Sequence, residues 1–82
     1  MNADEIRVAA LSILKTIAPE VEGGDLVPNR PLRQQVDLDS MDWLNFLVAL
    51  HKQLGVDIPE ADYRKLVTLD DLVGYLLGKL RP

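Results

Sequence analysis

Few side chains in this sequence could do chemistry, and the most suggestive pair is Asp39-Ser40, followed at once by Met41-Asp42. A serine acting as a nucleophile needs a base within hydrogen-bond reach. The single histidine, His51, lies eleven positions further on. If one helix carries both residues, they stand about 16 Å apart at the helical rise per residue. A hydrolase built on Ser40 and His51 is thereby excluded, and no catalytic residue is expected. Asp37, Asp39 and Asp42 do not make a calcium loop, because that loop needs a ligand where Met41 stands and a glycine where Asp42 stands. The chain has no cysteine, so disulfides and thiolate metal sites are ruled out. With one histidine, a zinc site would have to lean on carboxylates, and no metal site is expected. What remains for Ser40 is its position. Asp39 suits a helix N-cap, accepting from backbone N–H groups that the first turn leaves unpaired. Ser40 then sits at the positive end of the helix dipole, where a phosphate is stabilised. Taken alone, the same residues also describe a plain capping serine.

The helix that must position Ser40 is expected from about Ser40 to Leu54, with Gly55 as its stop. At 100° per residue, Trp43, Phe46, Leu47, Leu50 and Leu54 share one wide face, the expected core side. Met41, Leu44 and Val48 form a second stripe, roughly 130° round from the first. A surface helix of a small domain needs only one apolar stripe. The second is either covered by the loop or another helix, or it is a surface on which a partner docks.

The other elements follow from local signals. Asn2 and Glu5 make a capping box for a first helix whose Ile6, Ala9 or Ala10, Ile13, Leu14 and Ile17 hold helical spacing until Pro19 ends it. From Pro19 to Leu38 the prolines and the Gly23-Gly24 pair forbid a continuous helix. Val21, Leu26, Val27, Leu32, Val36 and Leu38 pin this long loop over the helix ends, with a short helical turn near Leu32 to Gln35. Pro59 opens a short third helix at its first position, running through Tyr63 to about Leu66. Thr68 and Asp71 form a capping box for a last helix that turns Leu69, Leu72, Val73, Leu76 and Leu80 inward. There is no strand alternation, repeat or low-complexity segment. The expected fold class is all-α: a small four-helix bundle of three main helices and one short one, with a long first loop, as a single domain over residues 1–82.

Charge and hydropathy narrow the function. A net charge of −4 argues against nucleic acid, which demands clustered lysine and arginine. No apolar run approaches the length of a membrane span. The acidic start Met-Asn-Ala-Asp-Glu lacks the basic opening of a signal peptide, so a cytoplasmic protein is expected.

Asp39-Ser40-Met41-Asp42 resembles the Asp-Ser-Leu-Asp signature of acyl carrier proteins and related phosphopantetheine-binding carrier domains. The surrounding pattern is similar too. The motif follows a long loop, opens a long apolar helix, and is followed by Gly55-Val56-Asp57-Ile58-Pro59-Glu60, similar to the family's turn into a short third helix. The resemblance covers roughly Ile6 to Leu80. It implies that Ser40 carries a covalent 4′-phosphopantetheine arm on which acyl groups travel as thioesters. It implies that Asp39 helps a phosphopantetheinyl transferase place its metal and the coenzyme A donor. It also implies that Met41, Asp42, Leu44 and Val48 touch partner enzymes, namely the transferase and an acyl or aminoacyl ligase or acyltransferase. A discrete, monomeric carrier is expected, not an enzyme. Where the family commonly has leucine after the serine this chain has Met41, and where it often has glycine two residues before the aspartate it has Asp37. In fatty-acid carriers the second helix is strongly acidic outside; here Asn45, His51 and Lys52 dilute that charge. The departures fit a dedicated lipid or secondary-metabolite pathway better than the general fatty-acid synthase. An aminoacyl or peptidyl carrier is the alternative within the family, and an unmodified helical interaction module the alternative outside it.

Overall fold

The computed structural model describes residues 1–80; residues 81–82, the end of the span expected for the domain, lie outside the described residues. Among the described residues there are four α-helices: α1 (Ala3–Ile17), α2 (Leu32–Gln35), α3 (Ser40–Leu54) and α4 (Leu69–Leu80). Two 3-10 segments, Gly23–Asp25 and Glu60–Lys65, complete the order. No β-strand occurs among the described residues, only an isolated bridge between Pro31 and Thr68.

The helix starts are set by the residues expected to set them. Asn2 Oδ1 accepts from Glu5 N at 2.8 Å while Glu5 Oε1 accepts from Asn2 N at 3.1 Å, so two donors of the first turn are satisfied reciprocally. Thr68 and Asp71 repeat the device before α4, with bonds of 3.0 and 3.1 Å. α1 stops at Ile17, where Ala18 N bonds to Leu14 O just ahead of Pro19. α3 stops at Gly55, whose φ of 65° lies in the left-handed region that glycine adopts without a Cβ penalty.

Helix α1 packs on both α3 and α4 around one apolar cluster. Ile6, Ala10, Ile13 and Leu14 of α1 meet Trp43, Phe46, Leu47 and Leu50 of α3 and Leu69, Leu72, Val73 and Leu76 of α4, all buried. Ile17 and Leu80 are half-buried, packed at the cluster's margin. The long loop joins this core through Val21, Leu32, Val36 and Leu38, and it is tied to the start of α4 by backbone bonds from Leu32 N to Val67 O (2.9 Å) and from Asp70 N to Pro28 O (3.0 Å).

Three expectations need correction. Val27 was expected to help pin the loop, yet its side chain is exposed. The anchoring there is polar: the Gln35 side chain accepts from Val27 N at 2.7 Å and donates to Val27 O at 3.0 Å, which turns the valine outward. Leu54 is only half-buried, because it lies in the last turn of α3 beside an open groove shared with Val8 and Ala9 of α1. The short third helix is 3-10 in form and starts after Pro59 rather than on it. Its i→i+3 bonds run from Asp62 N to Pro59 O and from Leu66 N to Tyr63 O.

Candidate functional site

The start of α3 is built from the loop side. Val36 and Leu38 are buried while Asp37 and Asp39 between and beyond them are exposed, so the approach to the helix alternates inward and outward. Burial of Leu38 fixes where Asp39 stands. Asp39 holds an extended conformation, its Oδ1 accepts from Asp42 N at 2.8 Å, and its carbonyl accepts the first helical bond from Trp43 N at 2.9 Å. Ser40 is consequently the first residue inside the helix. It is exposed, and among the described residues its hydroxyl has no hydrogen-bond partner. A phosphate ester on that oxygen would project into solvent at the positive end of a fifteen-residue helix, with no side chain to displace. The geometry therefore fits a phosphopantetheine group at Ser40.

The second stripe of α3 is open. Met41 is 64%, Leu44 40% and Val48 36% exposed, so neither the loop nor another helix covers them. Asp42 is half-buried behind the cap, and Trp43 faces the core with its ring tilted against Phe46 at 5.5 Å between centroids. His51 stands three turns along, its Nδ1 2.7 Å from Val56 O, occupied in closing the C-terminal end of α3.

Two further features carry no local signal in the sequence. Arg33 of α2 donates from Nε to Leu38 O at 3.4 Å, which places a guanidinium against the segment leading into Ser40. Tyr75 of α4 donates to Asp62 Oδ2 at 2.6 Å and so ties the 3-10 segment Glu60–Lys65 to the bundle. That bond, more than the Lys65 ammonium at 3.4 Å, holds the Asp62 carboxyl below its usual range. Burial, together with the bond to Asp62, pushes the Tyr75 phenol up to about 12.

A family model described as the phosphopantetheine attachment site matches residues 5–76, from the first turn of α1 to the last buried leucine of α4. Fold and match together define a phosphopantetheine-attachment domain. An acyl carrier protein from Thermosynechococcus vestitus is 29% identical over 98% of both chains. One from Acidothermus cellulolyticus is 26% identical over 93% of this chain and 89% of its own. The solved structure of the acyl carrier protein from Enterococcus faecalis superposes with a TM-score of 0.74 at 20% identity, covering 96% of this chain and 99% of that one. The chain belongs to the acyl carrier protein family. Members of that family are carrier proteins, not enzymes; the attached group is phosphopantetheine, and the carrier role implies work with pathway enzymes. No helix among the described residues is long and apolar enough to cross a membrane.

Proposed function

We propose that Ser40 is the attachment residue and that the chain acts as a discrete, monomeric, single-domain carrier in the cytoplasm, serving a dedicated lipid or secondary-metabolite pathway. One observation carries this reading: Ser40 Oγ is exposed and unpartnered at the first position of α3, while Asp39 already caps the helix in its place. The serine hydroxyl is thus spared from structural duty. In the modification step, Ser40 Oγ attacks the β-phosphorus of coenzyme A. A new P–O bond forms, the bond to the α-phosphate side breaks, 3′,5′-ADP leaves, and the serine proton passes to a base of the transferase. Asp39, next to the serine in sequence and bound through Oδ1 to Asp42 N, would help the transferase place its metal and donor. Once in place, the arm supplies a terminal thiol that carries acyl groups as thioesters. The open stripe of Met41, Leu44 and Val48 offers the transferase and an acyl ligase or acyltransferase an apolar foothold that begins next to the arm and runs about two turns along α3.

Thiol titration tests the assignment, because the chain has no cysteine and any thiol must come from an attached group. After incubation with coenzyme A and a broad transferase, the wild type should titrate one thiol per chain. Ser40→Ala should stay folded, within about 1 kcal/mol of the wild type because Asp39 still caps, and titrate none. A thiol on Ser40→Ala would mean another residue is modified. A thiol-free wild type would leave an unmodified interaction module.

A further inference from the structure

An open groove runs along the flank of α1 that faces the last turn of α3. It has a volume of about 620 Å³ and is floored by Ala9, Ile13 and Leu54, with Met1 and Val8 along its edge. Val8 is 68% exposed, more than any other large apolar side chain among the described residues. On the opposite flank of α1, Arg7 Nη2 reaches Asp70 of α4 at 3.9 Å, so α4 packs on that side and leaves this one uncovered. Ala9 and Ser12 are small enough to let a neighbouring backbone come close. From Asp4 to Ser12 the groove follows α1 for about 12 Å, roughly two helical turns.

The charged side chains of the groove are Asp4 and Glu5, both exposed and both at one end. Glu5 spends Oε1 on Asn2 N, and Asp4 meets Arg7 Nη1 only at 3.8 Å, an exposed pair of little strength. The facing wall is the C-terminal turn of α3, where the helix dipole adds partial negative charge. No lysine or arginine lines the groove. Lys52 falls roughly 160° round α3 from Leu54, and Lys15 stands beyond Ser12, at the far end from the carboxylates.

We propose that this groove is a second docking site, and that its occupant is an amphipathic helix of a partner protein with lysine or arginine beside its apolar face. A helix laid between α1 and α3 covers Val8 and Leu54 and sets its basic residues against Asp4 and Glu5. Leu54 lies about 21 Å along α3 from Ser40, so a partner held here leaves Ser40 and the stripe of Met41, Leu44 and Val48 open to an enzyme. A contact two turns long is weak alone. It nevertheless keeps the carrier close, so that encounters at the Ser40 end occur at a raised effective concentration. The docking goes beyond the carrier reading and does not depend on which residue bears the arm.

The probe is a peptide of about four helical turns, leucines on one face and lysines on the other, titrated into the full chain and followed by amide NMR. A twin peptide has glutamate for every lysine. Shifts should centre on Val8, Ala9, Ser12 and Leu54. Val8→Ser should weaken binding about tenfold without unfolding the chain, since the side chain is exposed. Asp4→Asn with Glu5→Gln should weaken it roughly three- to tenfold at low salt and less at high salt; glutamine keeps the capping box. The glutamate twin should bind about tenfold more weakly or not at all. Shifts centred on Met41, Leu44 and Val48 would overturn the proposal, as would equal binding of the two peptides or variants that bind like the wild type. So would a wild type that sediments as a dimer beside a monomeric Val8→Ser, because the occupant would then be a second copy. With the lysine peptide saturating, a broad transferase should still load the chain from coenzyme A at an unchanged rate, and a block would refute two separate sites. Failure to load with and without peptide would count against Ser40 alone, because the shifts are read on the unmodified chain.

Discussion

Gln35 is the residue whose replacement should reveal most about how the loop is held. Its side chain reaches back over eight residues: Oε1 accepts from Val27 N at 2.7 Å, and Nε2 donates to Val27 O and Arg30 O at 3.0 Å each, with a weaker approach to Pro31 O at 3.4 Å. Gln35→Ala removes three well-formed bonds. A net value of about 0.5–1 kcal/mol each, the lower part of the usual range because the sites are exposed, gives about 2 kcal/mol. In a domain of this size that lowers the melting temperature by roughly 8–16 °C. Gln35→Glu keeps the acceptor for Val27 N but loses both donors and sets a negative charge against two or three carbonyl oxygens, so it should be at least as destabilising as alanine. Urea unfolding of both variants reads the free energy, and hydrogen exchange at Val27 reads the loop directly. An alanine variant within about 0.5 kcal/mol of the wild type, or a glutamate variant better than alanine, would refute the idea that a polar clamp rather than apolar anchoring holds residues 27–31.

Other expectations follow from neighbouring features. Val48→Asp should slow transferase or ligase turnover while leaving unfolding free energy within about 0.5 kcal/mol, since the side chain is exposed; an unfolded variant would make the stripe core. Leu50 is fully buried, so Leu50→Ala should lose about 2–5 kcal/mol in chemical unfolding and melt far lower or become molten. Tyr75 is raised above its ordinary phenol value, so the folded state holds the proton more tightly than the unfolded chain. The stability from that difference is complete below about pH 10 and is lost as pH rises toward about 12. Urea titrations across that window should show a fall that Tyr75→Phe lacks. For Asp62, whose carboxyl is lowered, the sign reverses: its contribution is present above the ordinary carboxylate value of 3.8 and fades as the solution is acidified through the folded value, which Asp62→Asn should flatten.

What could be read from the chain alone was what is decided locally. The capping pairs Asn2–Glu5, Asp39–Asp42 and Thr68–Asp71 span three residues each, and their geometry follows from residue type and spacing. The buried face of α3 followed from angle, and Gly55 from the need for a positive φ. The angle could not decide whether Met41, Leu44 and Val48 were covered, because that depends on where a twenty-residue loop runs. Nor could periodicity tell a 3-10 segment from a short α-helix at Glu60–Lys65, or show that Leu54 sits where α1 offers it no lid. The Arg33–Leu38 bond, the Gln35 clamp and the Tyr75–Asp62 tie join residues that carry no mutual pattern; only the closed bundle brings them together.

The bonds from Leu32 N to Val67 O and from Asp70 N to Pro28 O have a consequence in time as well as in space. They join segments more than thirty residues apart, and contacts of that separation form late, after the entropy of closing the intervening chain has been met. During synthesis, α1 and α3 can exist before residues 67–70 have been made, but the loop that delivers Asp39 and Ser40 cannot yet be seated. A free fragment ending at residue 66 should thus be a poor acceptor of the phosphopantetheine arm, and one extended through α4 to residue 80 should be a good one. The last helix, which holds no candidate site residue, would then act as a checkpoint that reserves modification for chains able to fold.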